Sequence, residues 1–315
     1  MVKSIERREV TIIRVAASHQ GQRLDNFLFR ELKGLPRTRV YRLIRRGEVR
    51  VNKKRCKPDL KLSSGDELRI PPVGIRVGAK IPQVSDGLAT KLLDSVLHET
   101  DLLLVLNKPA GISVHGGSGV RLALVDALRQ IRPEWSGLEL AHRLDRDTSG
   151  CLLLAKKSNA LKYFQREFKL KRIRKRYLAF VHGSWPKRLV KVDAPLLKNE
   201  ISSGERVVKV SRHGKEAETH FKVLRTYAAA SLIEASPITG RTHQIRVHCQ
   251  HAGYSIIGDQ KYGTKGCSEQ LKGIKTLCLH ASNIEFSDLA SNKIIKIEAP
   301  FDKFWQIAAE IIEEK

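Results

Sequence analysis

Residues 138–155 read Leu-Glu-Leu-Ala-His-Arg-Leu-Asp-Arg-Asp-Thr-Ser-Gly-Cys-Leu-Leu-Leu-Ala, and this stretch decides the fold around it. Two apolar runs, 138–141 and 151–155, flank a charged turn that carries Asp145. Short apolar runs bounded by turn residues are typical of buried strands. An arginine stands on each side of Asp145, and neighbouring cations keep a carboxylate ionised, as a nucleophile requires.

The residue types in this turn also occur in other active sites. Residues 147–150 are similar to the turn of aspartic proteases, but that chemistry needs two carboxylates sharing a proton, and the sequence holds no second copy. His142, Asp145 and Ser149 are the residue types of a hydrolase triad, yet no Gly-x-Ser-x-Gly sequence accompanies them. A structural turn, in which Asp and Arg pair only to hold a loop, stays open from these residues alone.

The composition indicates a globular protein with a polyanionic partner. The chain has 315 residues, of which 41% are hydrophobic, enough for two domains. Lys and Arg number 58 against 33 Asp and Glu, a net charge of +25, which favours nucleic acid as the partner. Residues 1–10 are charged and no later window has the length of a membrane span, so we expect a cytoplasmic protein with no membrane partner. The five cysteines lack Cys-x-x-Cys spacing, so neither a disulfide framework nor a zinc ribbon is indicated.

Residues 1–72 are predicted to form a small separate module with its core from about residue 20. Apolar residues recur at helical spacing over 24–32, and a second helix is expected over 36–47, between a proline and a glycine. Short strands are expected near 49–52 and 67–70. The module is therefore predicted to be a helix pair packed on short strands.

The second helix of this module and the residues after it are strongly basic. Within residues 37–57 the only acidic residue is Glu48. A solvated helix face normally mixes charges of both signs, so a face of one sign predicts contact with phosphates. The residues expected to bind RNA are Arg37, Arg39, Arg42, Arg45, Arg46, Arg50 and Lys53.

Two further regions follow the module. Residues 73–88 mix Pro, Gly, Lys and Ser without a clear period, which predicts a linker. Residues 89–315 are predicted to form one larger domain, in which helices and strand-like runs follow each other without strict alternation. This order favours an α+β domain with a mixed, largely antiparallel sheet. The strand-like runs are 102–106, 151–155, 177–181, 221–224 and 232–235.

Residues 240–248 contain a second cluster of polar residues. They predict a helix capped by Thr242, whose first turn presents Arg246 toward an anion. Residues of metal-ligating type in and after this segment are His243, His248, Cys249 and His251. No matching second ligand pair stands elsewhere in the sequence, so we predict no metal.

The nonapeptide 142–150 resembles the central motif of the pseudouridine synthases, in the branch that modifies ribosomal RNA. The essential aspartate of that family falls on Asp145. The resemblance implies that Arg246 pairs with this aspartate, in a bidentate contact that fixes its direction. It also implies that Tyr177 stacks on the uracil and offers its hydroxyl as a proton acceptor, and that Arg143 fills the space left by the flipped nucleotide.

The amino-terminal module resembles the alpha-L RNA-binding module, first known from a small-subunit ribosomal protein. Residues 22–25, 47–52 and 65–68 carry this resemblance, together with the basic second helix. The resemblance implies that the module adds affinity for structured RNA through phosphate contacts.

Residues 155–157, 194–199 and 203–206 add a resemblance to the members of the family that act on large-subunit ribosomal RNA. It implies an isomerase that breaks the glycosidic bond of a uridine in 23S ribosomal RNA, rotates the uracil and rejoins it through carbon. Because no atoms are gained or lost, no cofactor is expected, and a monomer is the simplest form. Whether the aspartate attacks the ribose or the uracil stays open. The alternative is a non-catalytic RNA-binding factor that assists ribosome assembly.

Overall fold

The computed structural model describes residues 5–32, 35, 37–76, 82–116, 120–200, 206–263, 271 and 273–313. The chain forms two compact units, Met1–Ile81 and Pro82–Lys315. Across the described ranges, no helix is both long and apolar enough to span a membrane.

The described residues of the first unit form two helices and six short strands. Antiparallel pairing gives a four-stranded sheet in the order β2-β5-β3-β4 and a two-stranded sheet of β1 and β6. Its elements are β1 Ile5–Arg8, β2 Thr11–Arg14, a 3-10 turn Ala17–His19, α1 Leu24–Glu31, α2 Arg37–Arg45, β3 Arg50–Val51, β4 Lys54–Arg55, β5 Glu67–Ile70 and β6 Val73–Arg76.

The core of this unit confirms the helical periodicity in the sequence. Leu24, Phe27 and Leu28 of α1 and Val40 and Ile44 of α2 are each at most 2% exposed and belong to one cluster. The apolar positions of both helices therefore face inward, which leaves the basic positions of α2 on the outside.

The predicted linker carries regular structure at both ends. Val73–Arg76 forms β6, which pairs with Ile5–Arg8, and the next helix begins at Asp86. The division between the units lies after Ile81, whereas the sequence predicted a module ending at residue 72. The difference arises because pairing between segments nearly seventy residues apart leaves no local pattern in 73–76.

The second unit has five helices and twelve strands among its described residues. These are α3 Asp86–Asp94, β7 Val96–Glu99, β8 Leu103–Lys108, α4 Leu124–Ile131, a 3-10 turn Pro133–Trp135, β9 Glu139–Leu140, β10 Ser149–Ala155, α5 Ser158–Lys169, β11 Arg174–His182, β12 Lys191–Asp193, β13 Leu196–Glu200, β14 Arg206–Val210, β15 Glu218–Thr226, β16 Ala230–Pro237, α6 Gln244–His251, β17 Leu279–Ser287, β18 Ile294–Glu298 and α7 Lys303–Glu313.

A ten-stranded mixed sheet organises this unit. Its main path is β12-β15-β16-β11-β17-β10-β8-β7, with β18 paired to β17 and β9 paired to β10. Only the β10–β17 pairing is parallel, among the pairs the structure describes in this sheet. The predicted α+β class with a mixed, largely antiparallel sheet is confirmed.

Strand β10 follows the charged turn and lies in the middle of the sheet. Leu152 and Leu154 join one apolar cluster, while Cys151 and Leu153 join a second. Since successive side chains of a strand point to opposite faces, both faces of β10 are covered, which explains its continuous apolar run. The strand thereby gives the turn before it a rigid support.

Candidate active site

Asp145 lies in the turn that precedes β10, with its side chain 25% exposed. It borders a cleft of about 730 Å³ and an adjoining pocket of about 90 Å³. Arg143, Tyr177 and Arg246 line the smaller pocket with it. The structure therefore brings the four residues predicted for catalysis and base flipping together at one site.

Arg246, in the first turn of α6, forms an ion pair with Asp145. Its Nη1 donates to Oδ2 of Asp145 over 3.3 Å. Nε and Nη2 donate to the two oxygens of Asp259, each over 2.8 Å. The expected pairing of Arg246 with Asp145 is present, but the bidentate contact predicted for it is made to Asp259. Asp259 occupies the edge formed by Nε and Nη2, so Nη1 is the nitrogen that reaches Asp145.

The Arg246–Asp259 pair is buried and charged. Burial opposes ionisation of Asp259, yet Arg246 and the backbone amides of Tyr262 and Lys261 hold the pKa of Asp259 below its ordinary value. Burial by itself lowers the pKa of Arg246. The carboxylates of Asp259 and Asp145 outweigh this effect and raise the pKa of Arg246 above its usual range. The site therefore presents a permanent cation to Asp145.

The start of α6 differs from the prediction. Thr242 is not its cap: the helix begins at Gln244, after His243 with φ 55°, and no side-chain cap bond is present there. Instead, the Oε1 atom of Gln244 accepts from the Thr239 hydroxyl over 2.7 Å and from the Arg241 amide over 3.0 Å. The buried Gln244 side chain thus holds the loop before α6, a role that the sequence analysis gave to Thr242 as a helix cap.

Gln244 also anchors this helix to the sheet. Its Nε2 donates to the Glu218 carbonyl and to Oγ1 of Thr219 on β15. Every polar group of the Gln244 side chain has a partner, which fixes the register of α6 and hence the position of Arg246 two residues later.

Tyr177, on β11, is 8% exposed and lines the smaller pocket. Burial, with a smaller contribution from Asp145, raises the pKa of the Tyr177 phenol well above its ordinary value. Lys175, two residues earlier, lines the same pocket, and burial lowers its pKa to about 8. A phenol that keeps its proton is a weak base, so the buried Tyr177 hydroxyl is poorly suited to accept a proton.

Arg143 is exposed and borders both cavities. It lies two residues before Asp145 in the same turn. Arg146, on the other side of Asp145, forms its ion pair with the neighbouring Asp147, with Nε 2.9 Å from Oδ1. Of the two arginines that flank the aspartate, Arg143 is the one that faces the small pocket.

Lys108 supports the turn that carries Asp145, and the sequence analysis gave this residue no role. Its side chain is fully buried, and Nζ donates to the carbonyl oxygens of Pro109, Ile112 and Arg146 over 2.7, 3.0 and 2.9 Å. Burial lowers the pKa of Lys108 to about 7, while Asp147 and Asp145 oppose this shift. The amide of Gly111 donates to the same Arg146 carbonyl, so two groups hold the turn in place.

The other chemistries considered for these residues do not fit the geometry. The Ser149 hydroxyl contacts Nδ1 of His280 at 2.8 Å, while Nε2 of His142 accepts from the Leu153 amide at 3.0 Å. The three residues of the supposed triad therefore have separate partners.

His248, one of the residues of metal-ligating type near α6, has other partners. The ring nitrogens of His248 lie 2.9 Å from the Thr219 hydroxyl and 3.1 Å from the Ala194 carbonyl. Throughout the part of the chain that the structure describes, no three His, Cys, Asp or Glu side chains are grouped as metal ligands.

The predicted RNA-binding residues lie in the first unit, on α2 and the strands that follow it. Arg42, Arg45, Arg46, Arg50 and Lys53 are exposed, and Arg39 is partly buried. The Arg37 side chain lies outside the described residues. Glu48, the one acidic residue within residues 37–57, lies 4.0 Å from Arg46, and a pair this long and exposed offsets little of their charge.

Comparison with known proteins places this site in a family. Residues 102–251 match the RNA pseudouridylate synthase family, and residues 22–68 match the S4 domain. The chain belongs to the RNA pseudouridylate synthases, which are isomerases, and it carries an S4 domain at its amino-terminal end. The family inferred from the nonapeptide is confirmed.

Several curated relatives match along nearly the whole chain. Ribosomal large subunit pseudouridine synthase C of Salmonella typhi is 50% identical over 317 residues, covering 98% of this chain and 99% of the relative. The protein of the same name from Escherichia coli K12 is 50% identical, with 95% of each chain covered. That from Haemophilus influenzae is 47% identical, with 93% of this chain and 92% of the relative covered.

Two solved human structures share the fold of the larger unit. RNA pseudouridylate synthase domain containing 4 has a TM-score of 0.60 at 28% identity, covering 72% of this chain and 95% of that protein. RNA pseudouridylate synthase domain containing 1 has a TM-score of 0.56 at 25% identity, covering 72% and 97%.

Proposed function

We propose that this isomerase converts specific uridines of 23S ribosomal RNA, in the large subunit, to pseudouridine with Asp145 as nucleophile. The contact between Asp145 and Arg246, in the pocket that Arg143 and Tyr177 also line, is the observation that carries the proposal. The names of the relatives that match over more than nine-tenths of the chain support the large-subunit RNA as substrate.

Arg246, Tyr177 and Arg143 each have a role beside Asp145 in this proposal. Arg246 pairs with Asp145 and directs one carboxylate oxygen into the pocket. The buried Tyr177 ring supports the uracil face, since a neutral phenol is suited to stacking. Arg143 occupies the gap in the RNA stack after the uridine has flipped out, a gap that otherwise costs a few kcal/mol. Asp145 bonds to the substrate for part of the reaction. The glycosidic carbon–nitrogen bond breaks, a carbon–carbon bond forms as that uracil carbon loses its proton and the freed nitrogen gains one, and the bond to Asp145 is broken again, so no atom is gained or lost overall.

The basic positions of α2 supply the RNA affinity in this proposal. Phosphate contacts are independent of base sequence and fall with salt, whereas the cleft around Asp145 selects the local RNA fold. A single chain holds both parts, and we propose that it acts as a monomer in the cytoplasm, where its ribosomal substrate is assembled.

Pseudouridine mapping tests this proposal. We would label large-subunit ribosomal RNA with carbodiimide and map it by primer extension, in cells that lack the protein and in cells complemented with wild type, Asp145→Asn or Asp193→Asn. Asp193 lies on β12 with its side chain 56% exposed and serves as a matched carboxylate control. We expect specific stops to disappear without the protein and to return with wild type and Asp193→Asn only.

Two outcomes would contradict the proposal. Restoration of the stops by Asp145→Asn would exclude Asp145 as nucleophile. An unchanged map in cells without the protein would exclude this RNA as substrate, and retained affinity for it would then support the ribosome-assembly role.

A further inference from the structure

His243 lies beside Asp145, and its two ring nitrogens have different neighbours. Nδ1 lies 2.6 Å from the Tyr262 hydroxyl oxygen, and Nε2 lies 3.9 Å from Oδ1 of Asp145. The side chain is 17% exposed and borders both cavities. The ring therefore connects the nucleophile's free oxygen to a hydroxyl deeper in the fold.

The Tyr262 hydroxyl decides which nitrogen of His243 carries the proton. The amide of Val208, on β14, donates to the Tyr262 oxygen over 3.1 Å, so the phenolic hydrogen is left to be donated elsewhere. Burial raises the pKa of Tyr262, which keeps that hydrogen in place. If Nδ1 of His243 carried a proton, two donors would face one oxygen and the buried hydroxyl hydrogen would lose its acceptor. Nδ1 is therefore the acceptor, and the proton of the neutral ring is on Nε2.

Two observations support a neutral ring held in one orientation. Burial is the largest influence on His243 and lowers its pKa, with Asp145 opposing and Arg246 adding to the effect. Its φ of 55° lies in the left-handed region, which non-glycine residues seldom adopt unless their surroundings impose it. The contact to Tyr262 and the start of α6 together impose that conformation.

The two oxygens of Asp145 thus face two separate donors. Arg246 donates to Oδ2, and Nε2 of His243, which carries the proton of the neutral ring, lies 3.9 Å from Oδ1. The 3.9 Å separation is longer than a hydrogen bond, and contacts of catalytic groups commonly shorten as the reacting complex forms.

We propose that His243, fixed as the Nε2–H tautomer by Tyr262, is a positioning residue that donates to Oδ1 of Asp145 and so gives the nucleophile a single orientation. The proposal rests on the proposed function, in which Asp145 bonds to the substrate. It extends that function by giving the β13–β14 hairpin, through Val208 and Tyr262, a part in aligning the nucleophile.

Nitrogen NMR tests the tautomer directly. In protein with ¹⁵N-labelled histidine, the His243 signals are identified by their loss in His243→Gln. We expect one unprotonated nitrogen, Nδ1, and one protonated nitrogen, Nε2, at neutral pH. In Tyr262→Phe, which keeps the ring beside Arg246 but removes the hydroxyl, we expect the Nδ1 signal to move toward the protonated position. Protonated Nδ1 in the wild type would overturn the proposal.

Steady-state kinetics test the positioning role. We expect His243→Ala to lower kcat by about 10- to 100-fold with KM within about threefold, since a misplaced nucleophile reacts slowly while binding persists. His243→Gln retains an N–H donor and is expected to recover most of that loss. His251→Ala removes an exposed histidine at the end of α6, the helix that follows His243, and is the control. Full kcat in His243→Ala, or a change in KM alone, would show that the ring has no positioning role.

The same experiments separate this inference from the proposed function. Asp145→Asn reports on the nucleophile by itself. If Asp145→Asn is inactive and His243→Ala is fully active, only the inference on His243 fails. If Asp145→Asn is active, the proposed function fails, and the positioning role of His243 fails with it, whatever tautomer the NMR spectra show.

Discussion

Asp259 holds Arg246 through both of its carboxylate oxygens, 2.8 Å from Nε and 2.8 Å from Nη2, while Arg246 reaches Asp145 with its remaining nitrogen. The Asp259 side chain is fully buried, and the amides of Lys261 and Tyr262 donate to its Oδ1 atom. Asp259 thus fixes the direction of the Arg246 guanidinium, although Asp259 itself does not line the smaller pocket that contains Tyr177.

Asp259→Asn is expected to reduce both stability and activity. The substitution removes the charge that compensates Arg246, whose side chain is only 8% exposed. Breaking one side of a buried pair costs about 3 kcal/mol or more. Because Arg246 is then free to turn toward Asp145, we also expect kcat to fall by at least about tenfold. Urea unfolding and single-turnover rates measure the two effects.

Asp193→Asn is the matched control for this prediction. Asp193 pairs with Lys191 at 3.6 Å, and both side chains are about half exposed. Such a pair contributes at most about 1 kcal/mol, so stability and kcat are expected to stay close to wild type. Equal effects of the two substitutions would show that the Arg246–Asp259 pair has no special role.

Gly150→Ala is expected to unfold or strongly destabilise the larger unit. Gly150 has φ 103°, and a Cβ atom there would lie 2.3 Å from the carbonyl oxygen of Ala281 on β17. Both the backbone conformation and the space exclude a side chain at the parallel contact between β10 and β17. We expect a loss of several kcal/mol, seen as a lower Tm and poor recovery of folded protein.

Gly87→Ala provides the comparison for that substitution. Gly87 lies in α3 with open space around the position of a Cβ atom, and its φ is not in the left-handed region. Alanine favours a helix over glycine by up to about 1 kcal/mol, so this variant is expected to be as stable as wild type or more stable. A Tm for Gly150→Ala equal to that of Gly87→Ala would contradict the steric argument.

The residues that could be predicted from sequence are those whose neighbours along the chain define them. The charged turn between two apolar runs marks Asp145, and the helical segment with Gln244 marks Arg246. The helices of the first unit were also predictable, because their apolar positions follow the helical period. A family resemblance was needed to place Tyr177 beside them, since a tyrosine in a strand is by itself typical of a core.

The supporting residues could not be predicted because their partners are distant or belong to the backbone. Lys108 acts on three carbonyl groups, which every sequence offers equally. Asp259 lies 13 residues beyond Arg246, in a turn without periodicity. His243 has the residue type of a metal ligand in the sequence. Only the positions of Tyr262 and Asp145 in the structure indicate a positioning role instead.

Lys108→Met is expected to loosen the turn that carries Asp145. The methionine keeps much of the buried volume but removes the three hydrogen bonds to Pro109, Ile112 and Arg146. Leaving buried carbonyl groups without donors costs about 1–3 kcal/mol for each group that finds no new partner. We expect a lower Tm and a reduced kcat. Unchanged values of both would show that the Gly111 amide alone holds the turn.

His142 gives the larger unit a dependence on pH whose sign follows from its environment. Burial, with a contribution from Lys175, lowers the pKa of His142 from 6.5 to about 3. Between these two values the unfolded chain binds a proton that the folded chain does not. The free energy of unfolding therefore falls as the pH falls below 6.5, by up to about 1.4 kcal/mol per pH unit.

His142→Gln isolates this contribution, because glutamine offers an oxygen to the Leu153 amide but does not titrate. The tryptophans, Trp135, Trp185 and Trp305, all lie in the larger unit, so their fluorescence in urea reports its unfolding. Between pH 7 and pH 5 we expect the wild type to lose about 2 kcal/mol more than the variant. The other titrating groups are common to both proteins and cancel in the difference. If the wild type and His142→Gln lost the same free energy of unfolding between pH 7 and pH 5, His142 would have the same pKa in the folded protein as in the unfolded chain.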